Sequence, residues 1–114
     1  MKLMPIVYVT DMDASITFYT TLGFTIGANG RSDYWTELTM GDAILALHYA
    51  ETVPDNLIGQ VELALVSTDP LEDLVKQLKT AGMVLEREIS DESFGRSIQV
   101  CDPDGLIIQI NEHT

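Results

Sequence analysis

Two pairs of side chains suited to holding a small molecule lie in strand-like runs of this 114-residue chain. Trp35 and Glu37 are two residues apart, as are Gln109 and Asn111, so each pair shares one face of its strand. An aromatic ring beside a carboxylate suits a cationic or planar ligand, and two carboxamides offer hydrogen-bond donors and acceptors. These pairs predict a ligand-binding face, although a core or dimer-contact role fits Trp35 equally well.

Three further residues fall on mixed faces of the same kind. Tyr8 lies in the first strand-like run, His48 follows Ala46 by two residues, and Glu62 alternates with aliphatic residues. In 43–49, 61–65 and 106–110 the opposite face is uniformly apolar, which is typical of a face that packs on helices. The mixed faces predict a groove rather than a plain solvated sheet face, because their apolar residues would otherwise lie in water at about 25 cal/mol per Å².

Two copies of one strand–helix–hairpin unit must position these faces. In each copy a strand-like run precedes a helical stretch that opens at an aspartate and closes at a glycine, over 11–23 and 69–82. Each helical stretch is followed by strands that flank a Gly-Asp or Asp-Gly turn. The order βαβββ is therefore predicted twice, and one such unit cannot bury its apolar face alone.

The second copy carries two more specific predictions. Asp69 as the N-cap, Pro70 at the first helical position and Glu72 three residues after the cap predict a capping box. Residues 83–88 have the pattern of a strand, and residues 90–95 have the composition of a polar loop.

The repeat predicts an α+β fold within a single domain, 1–114. Module one would span 1–50, a connector 51–59, and module two 60–114. The two modules would form a curved mixed sheet with a concave cavity and with the helices on its outer face.

The charge composition limits the classes of molecule that the protein is expected to bind. The net charge of −12, with only six basic residues, argues against nucleic acid and anionic membranes. The acidity indicates either solubility or attraction for a cationic ligand. The absence of a long apolar run and of a signal-peptide pattern predicts a cytoplasmic protein. A single cysteine, Cys101, excludes an internal disulfide.

Three motifs link the chain to a known family: residues 9–19 followed by Leu22-Gly23-Phe24, the Gly95-Arg96 pair, and Asp102-Pro103-Asp104-Gly105 before alternating aliphatic residues. With them the sequence resembles the vicinal oxygen chelate superfamily, which includes glyoxalase I, extradiol dioxygenases and bleomycin-resistance proteins. The resemblance implies paired βαβββ modules and a homodimer. It implies no single reaction, because members include lyases, isomerases, dioxygenases and binding proteins without catalysis.

The resemblance also implies where a metal ion would be held. Catalytic members bind a divalent ion through the first and last strands of each module, and those positions fall on Met4, Ala46, Glu62 and Gln109. Alanine has no donor atom, and a thioether is a poor ligand for a hard or borderline ion, so only Glu62 is well suited. We therefore expect no metal and no other cofactor. A relocated metal site using His48, Glu62 and Gln109 is the open alternative.

The first functional hypothesis is a metal-independent, homodimeric small-molecule-binding protein that looks like the bleomycin-resistance branch and sequesters an antibiotic or metabolite, with a cationic ligand favoured. The ligand-binding residues would be Tyr8, Trp35, Glu37, His48, Glu62, Gln109 and Asn111. The alternative is a metal-dependent lyase, isomerase or dioxygenase with a non-standard site, or a metal-free enzyme with Glu62 as its general base. An interaction module with no small ligand is the third hypothesis.

Overall fold

The computed structural model describes residues 2–54 and 61–113. The chain divides into two compact units, Met1–Ile58 (unit 1) and Gly59–Thr114 (unit 2). The boundary falls within the predicted connector, 51–59, whose part from residue 55 onward lies outside the described residues.

Unit 1 has one helix and a four-stranded mixed sheet with the strand order β1-β4-β3-β2. Strand β1 is parallel to β4, and the other neighbours are antiparallel. Its elements in chain order are β1 (Ile6–Val9), α1 (Met12–Thr21), β2 (Thr25–Ile26), β3 (Trp35–Met40) and β4 (Ala43–Tyr49).

Unit 2 repeats this arrangement with the strand order β5-β8-β7-β6, in which β5 is parallel to β8. Its elements are β5 (Leu63–Val66), α2 (Leu71–Thr80), β6 (Leu85–Glu92), β7 (Gly95–Cys101) and β8 (Ile107–His113). The fold is α+β with two βαβββ-like modules, as the repeat predicts. Neither helix in the described residues is long and apolar enough to span a membrane.

Helix α1 begins and ends where the sequence signals place its limits. The side chain of Asp11 accepts a hydrogen bond from the Ala14 N–H at 3.0 Å, which satisfies one of the unpaired donors of the first turn. Beyond the helix, Gly23 has a φ of +114°, a conformation that a side chain would strain. Met12 and Tyr19, seven residues apart and so on one face of the helix, are buried.

The core of each unit lies between its helix and one face of its sheet. Most buried apolar residues of the strands alternate, which is the period that a half-covered sheet requires. The buried apolar residues of the strands are Val7, Val9, Leu38, Leu45, Ala46 and Leu47 in unit 1, and Ile98, Val100, Ile108 and Ile110 in unit 2. Only Ala46 of these lies on the face away from the helix.

The capping box predicted for the second helix is wrong. Pro70 is the N-cap, and no side chain of the helix start caps it; Asp69 lies one residue before it. A distant carboxylate replaces the box, because Glu112 Oε2 accepts the Leu71 N–H at 2.7 Å. A carboxylate at this end of a helix also interacts favourably with its dipole.

The carboxylate that the capping box would have used makes an ion pair instead. Both oxygens of Glu72 accept hydrogen bonds from Arg96, whose Nε also donates to Glu112 Oε1 at 2.8 Å. The hydrogen bonds from Arg96 lower the pKa of Glu72 to about 2. The Leu71 N–H, and then Arg96, lower the pKa of Glu112. The helix start is therefore fixed to β7 and β8.

The polar loop predicted over 90–95 is also wrong. Strand β6 continues to Glu92, and only two residues turn the chain into β7. The register pairs Ser90 with Ser97 and Glu92 with Gly95, after shifts in the β6–β7 ladder. Polar side chains continue this strand because they bond to one another across it.

The turn between β7 and β8 depends on one buried carboxylate. Asp102 is 4% exposed, and its Oδ1 accepts the N–H groups of Asp104 at 2.9 Å and Leu106 at 2.8 Å. Gly105 has a φ of +90° and closes the same turn.

Replacing Asp102 should separate its role as an acceptor from its charge. Asp102→Ala leaves two turn N–H groups without their acceptor and should lower the free energy of unfolding by about 1–3 kcal/mol. Asp102→Asn keeps an acceptor oxygen and should cost less than half as much. Urea unfolding followed by circular dichroism measures both, and equal losses in the two variants would contradict the assigned role.

Candidate functional site

The mixed face of the unit 1 sheet brings three of the predicted residues side by side. Tyr8 on β1 lies opposite His48 on β4, which lies opposite Trp35 on β3. The Tyr8 and His48 rings are stacked with centroids 4.9 Å apart, and the Trp35 and His48 rings meet edge to face at 5.4 Å. We call this continuous ring surface the aromatic row.

A carboxylate lies beside the aromatic row. The Trp35 indole Nε1 donates to Glu37 Oε2 at 2.9 Å, and both side chains are half-buried. The Oε1 atom of Glu37 has no hydrogen-bond partner in the part of the chain that the structure describes. Glu37 lies opposite Ala46, which lies opposite Ile6, so a methyl group separates the carboxylate from an aliphatic side chain. The arrangement suits a ligand with a cationic group and a flat apolar body.

In unit 2 the predicted carboxamides also come together, and one more joins them. Gln109 Nε2 donates to Asn111 Oδ1 at 2.7 Å. Gln109 pairs across the sheet with Gln99 on one side and with Ala64 on the other, and Gln99 pairs with Arg87. We call Arg87, Gln99, Gln109 and Ala64 the polar row. Sequence reasoning missed Gln99 and Arg87, although strand alternation places Gln99 on the face away from the buried Ile98 and Val100.

A closed ring of hydrogen bonds lies at the β6 end of this face. Arg87 donates to the hydroxyls of Ser90 and Ser97, and both hydroxyls donate to Glu92 Oε1, at 2.9 Å and 3.0 Å. Those two hydroxyls, and then the nearby charge of Arg87, lower the pKa of Glu92. The sequence pattern does not predict this ring, because several of its residues fall in the predicted loop over 90–95.

Glu62 does not join these contacts. It is exposed and lies one residue before β5, and no hydrogen bond or ion pair to its carboxylate occurs within the described residues. The prediction that it binds a ligand stays a prediction.

The four positions that the family resemblance implies for a metal do not fit a divalent ion. Ala46 is fully buried and presents only a methyl group, and Met4 is a half-buried thioether. Within the described residues of each unit, no three His, Cys, Asp or Glu side chains cluster closely enough to hold a metal ion. His48, one of the three residues of the relocated-site alternative, has its ring between those of Tyr8 and Trp35.

The Cys101 thiol and a cleft beside Arg31 offer less reactive chemistry. Burial, followed by the charges of Glu86 and Asp102, raises the pKa of the Cys101 thiol, which favours the unreactive protonated form.

A cleft of ≈ 360 Å³ in unit 1 is lined in part by Arg31, which pairs with Asp13 and Asp33. Those two carboxylates raise the pKa of Arg31. None of the predicted site residues lines this cleft.

Comparison with known proteins finds a family model that matches nearly the whole chain. The model of the glyoxalase/bleomycin resistance protein/dioxygenase superfamily matches residues 3–110. No curated protein matches the sequence at a significant level.

Several solved structures share the fold. A virulence protein from Salmonella typhimurium is 25% identical with a TM-score of 0.73, covering 97% of this chain and 94% of that chain. A bleomycin-binding protein solved with bleomycin is 23% identical with a TM-score of 0.75, covering 100% of this chain and 99% of that chain. A lactoylglutathione lyase from Agrobacterium tumefaciens is 18% identical with a TM-score of 0.75, covering 98% and 92%.

The aromatic row can be tested through its indole, since Trp35 is the chain's single tryptophan. His48→Ala removes the ring that packs against the indole and should shift the emission maximum to longer wavelength, because water reaches the indole. His113→Ala is the matched control, since His113 lies in unit 2 against Phe94. An unchanged maximum in His48→Ala would show that the row does not exist in solution.

Proposed function

Because the chain belongs to the glyoxalase/bleomycin resistance protein/dioxygenase superfamily, we propose that it binds a small organic molecule without a metal ion and sequesters it. Membership fixes no reaction, since one fold carries many chemistries. The observation that carries the proposal is the aromatic row with Glu37 beside it.

The chemistry of this face favours a cationic ligand with a planar group. The rings of Tyr8, Trp35 and His48 offer contact area to a flat body, and a cation over such a ring gains about 0.5–2 kcal/mol. Glu37 supplies a formal negative charge whose position is fixed by the indole N–H. The net charge of −12 raises the local concentration of cations around the whole protein.

The donor atoms support binding without a metal. At the implied metal positions only Glu62 offers a strong ligand for a hard ion, and one carboxylate does not make a site. Within unit 2 we propose the carboxamides Gln109 and Asn111 as hydrogen-bonding groups for a ligand, and we keep Glu62 as a candidate contact.

The class of ligand is proposed from the same chemistry. The bleomycin-binding protein with a similar fold holds bleomycin. We extend this to the present chain as a proposal: the ligand is an antibiotic or metabolite with a basic group, and binding confers resistance by sequestration.

We further propose that the protein works as a homodimer in the cytoplasm. Support for the dimer comes from exposed apolar side chains, since Ile6 on β1 is 47% exposed and Val66 on β5 is 58% exposed. Exposed apolar side chains of this kind can be buried in contact with a second chain.

A fluorescence titration tests the ligand. Metal-free bleomycin should change the emission of Trp35 in a saturable way, in the presence of EDTA. Glu37→Gln should weaken binding about tenfold, because a charge-assisted contact is lost. Glu51→Gln makes the same charge change at an exposed residue and should leave the affinity unaltered. Equal affinity in Glu37→Gln, no saturable change, or binding only after a divalent ion is added would each contradict the proposal.

Sedimentation equilibrium tests the dimer. The chain has a mass of 12.6 kDa, and we expect a species of twice that mass at micromolar concentration. Val66→Lys should shift the population to monomer, because a charge would be buried in the contact. Gln77→Lys on the exposed face of α2 is the control, with the same introduced charge. A wild-type monomer would reject the dimer.

A further inference from the structure

We propose that Arg87 binds the carboxylate of a small molecule on the polar row of unit 2. The inference rests on the proposed function only in that the chain binds small molecules, and the site it describes lies within unit 2. Nothing in the family resemblance or in the sequence patterns pointed to this residue.

Arg87 is held differently from the other two arginines with described side-chain contacts in this acidic chain. Arg31 pairs with two aspartates, and all three guanidinium nitrogens of Arg96 donate to glutamates. The Arg87 guanidinium donates instead to uncharged oxygens. These are the Glu88 carbonyl at 2.9 Å, the Ser97 carbonyl at 3.2 Å and Oγ at 2.6 Å, and the Ser90 hydroxyl.

The nearest carboxylate leaves the charge of Arg87 incompletely neutralised. Arg87 Nη2 is 3.9 Å from Glu92 Oε1, beyond hydrogen-bonding distance, and the two serine hydroxyls bridge the gap. The Arg87 side chain is 33% exposed, so a ligand in solution reaches it.

Not every donor of the Arg87 guanidinium is used. In residues 2–54 and 61–113 Arg87 Nε donates no hydrogen bond, and Ser97 Oγ takes one of the two Nη2 hydrogens. Because Nε–H and one Nη2–H point the same way, the edge that they form matches the two oxygens of a carboxylate. A planar anion would therefore form two parallel hydrogen bonds there.

The neighbours of Arg87 extend the site across the sheet. Gln99 lies opposite Arg87, and its carboxamide has no partner among the described side chains; Gln109 follows on the next strand. Strands lie about 4.8 Å apart, so the row presents a guanidinium and two carboxamides at regular intervals. Ala64 ends the row and leaves space for the ligand body. A carboxylate with an amide or hydroxyl group several atoms away matches this spacing.

The carboxylate of Glu92 limits the strength of such a site. It lies close to where the ligand's charge would sit, and in a medium of reduced dielectric the two negative charges repel. Removing that charge without altering the shape should therefore strengthen anion binding, which makes the proposal testable by a gain as well as by a loss.

The test uses benzoate and its uncharged isostere benzamide as probes, each titrated into the full-length ¹⁵N-labelled protein. Benzoate should perturb the Arg87 Nε–H and Gln99 side-chain signals in a saturable way, whereas benzamide should leave the Arg87 signal unmoved. Equal perturbation by both probes would overturn the proposal, as would no response to benzoate. Trp35 emission, recorded in parallel, reports unit 1 separately, so failure here and failure of the proposed function are distinguishable.

Four variants complete the test. Arg87→Lys keeps the charge but loses the two-donor edge and should weaken benzoate binding roughly tenfold, as should Arg87→Gln. Glu92→Gln should tighten binding severalfold while preserving the fold. Arg31→Gln removes an arginine that carboxylates already neutralise and should have no effect. Unchanged affinity in Arg87→Lys, or weaker affinity in Glu92→Gln, would contradict the assignment.

Discussion

One helix covers each sheet on one face only, and the rest of the structure follows from that constraint. A strand covered on one side must alternate, with aliphatic side chains towards the helix and a freer choice on the other side. The buried residues of the helix-covered faces are Leu, Ile and Val, apart from Thr36 in unit 1. The other faces are where the chain carries rings, carboxylates, carboxamides and a guanidinium. Side chains that can bind a ligand are concentrated on these faces because packing against a helix does not restrict the residue types there.

The two units share the same strand register but carry different residues in equivalent cross-strand rows. Ile6, Ala46 and Glu37 form one cross-strand row in unit 1, and the equivalent row in unit 2 is Ala64, Gln109 and Gln99. The next row reads Tyr8, His48 and Trp35 in unit 1, against Val66, Asn111 and Ser97 in unit 2. One unit thus offers aromatic surface with a carboxylate, and the other offers neutral polar groups with an arginine. A duplicated scaffold has acquired two complementary kinds of recognition surface.

The sequence predicted what depends on neighbours along the chain and failed where distant residues intervene. Strand alternation placed Trp35 with Glu37 and Gln109 with Asn111 on common faces, and both pairs are hydrogen-bonded in the structure. It did not predict that His48 lies between two rings, since that needs the parallel pairing of β1 with β4. The capping box failed because Glu112, 41 residues from Leu71, occupies the helix start. The prediction of a loop over 90–95 is wrong because it takes the polar side chains there as solvent-exposed, whereas several of them hydrogen-bond to one another.

The carboxylate of Glu112 caps α2, so the folding of this helix depends on a strand that follows it much later in the sequence. During synthesis α2 leaves the ribosome well before the strand that carries Glu112, so its first turn must wait for that residue before it is fully satisfied. Unit 1 carries its own cap in Asp11, immediately before its helix, and faces no such delay. We therefore expect vectorial folding in which the amino-terminal half matures first and nascent α2 frays until residue 112 has emerged.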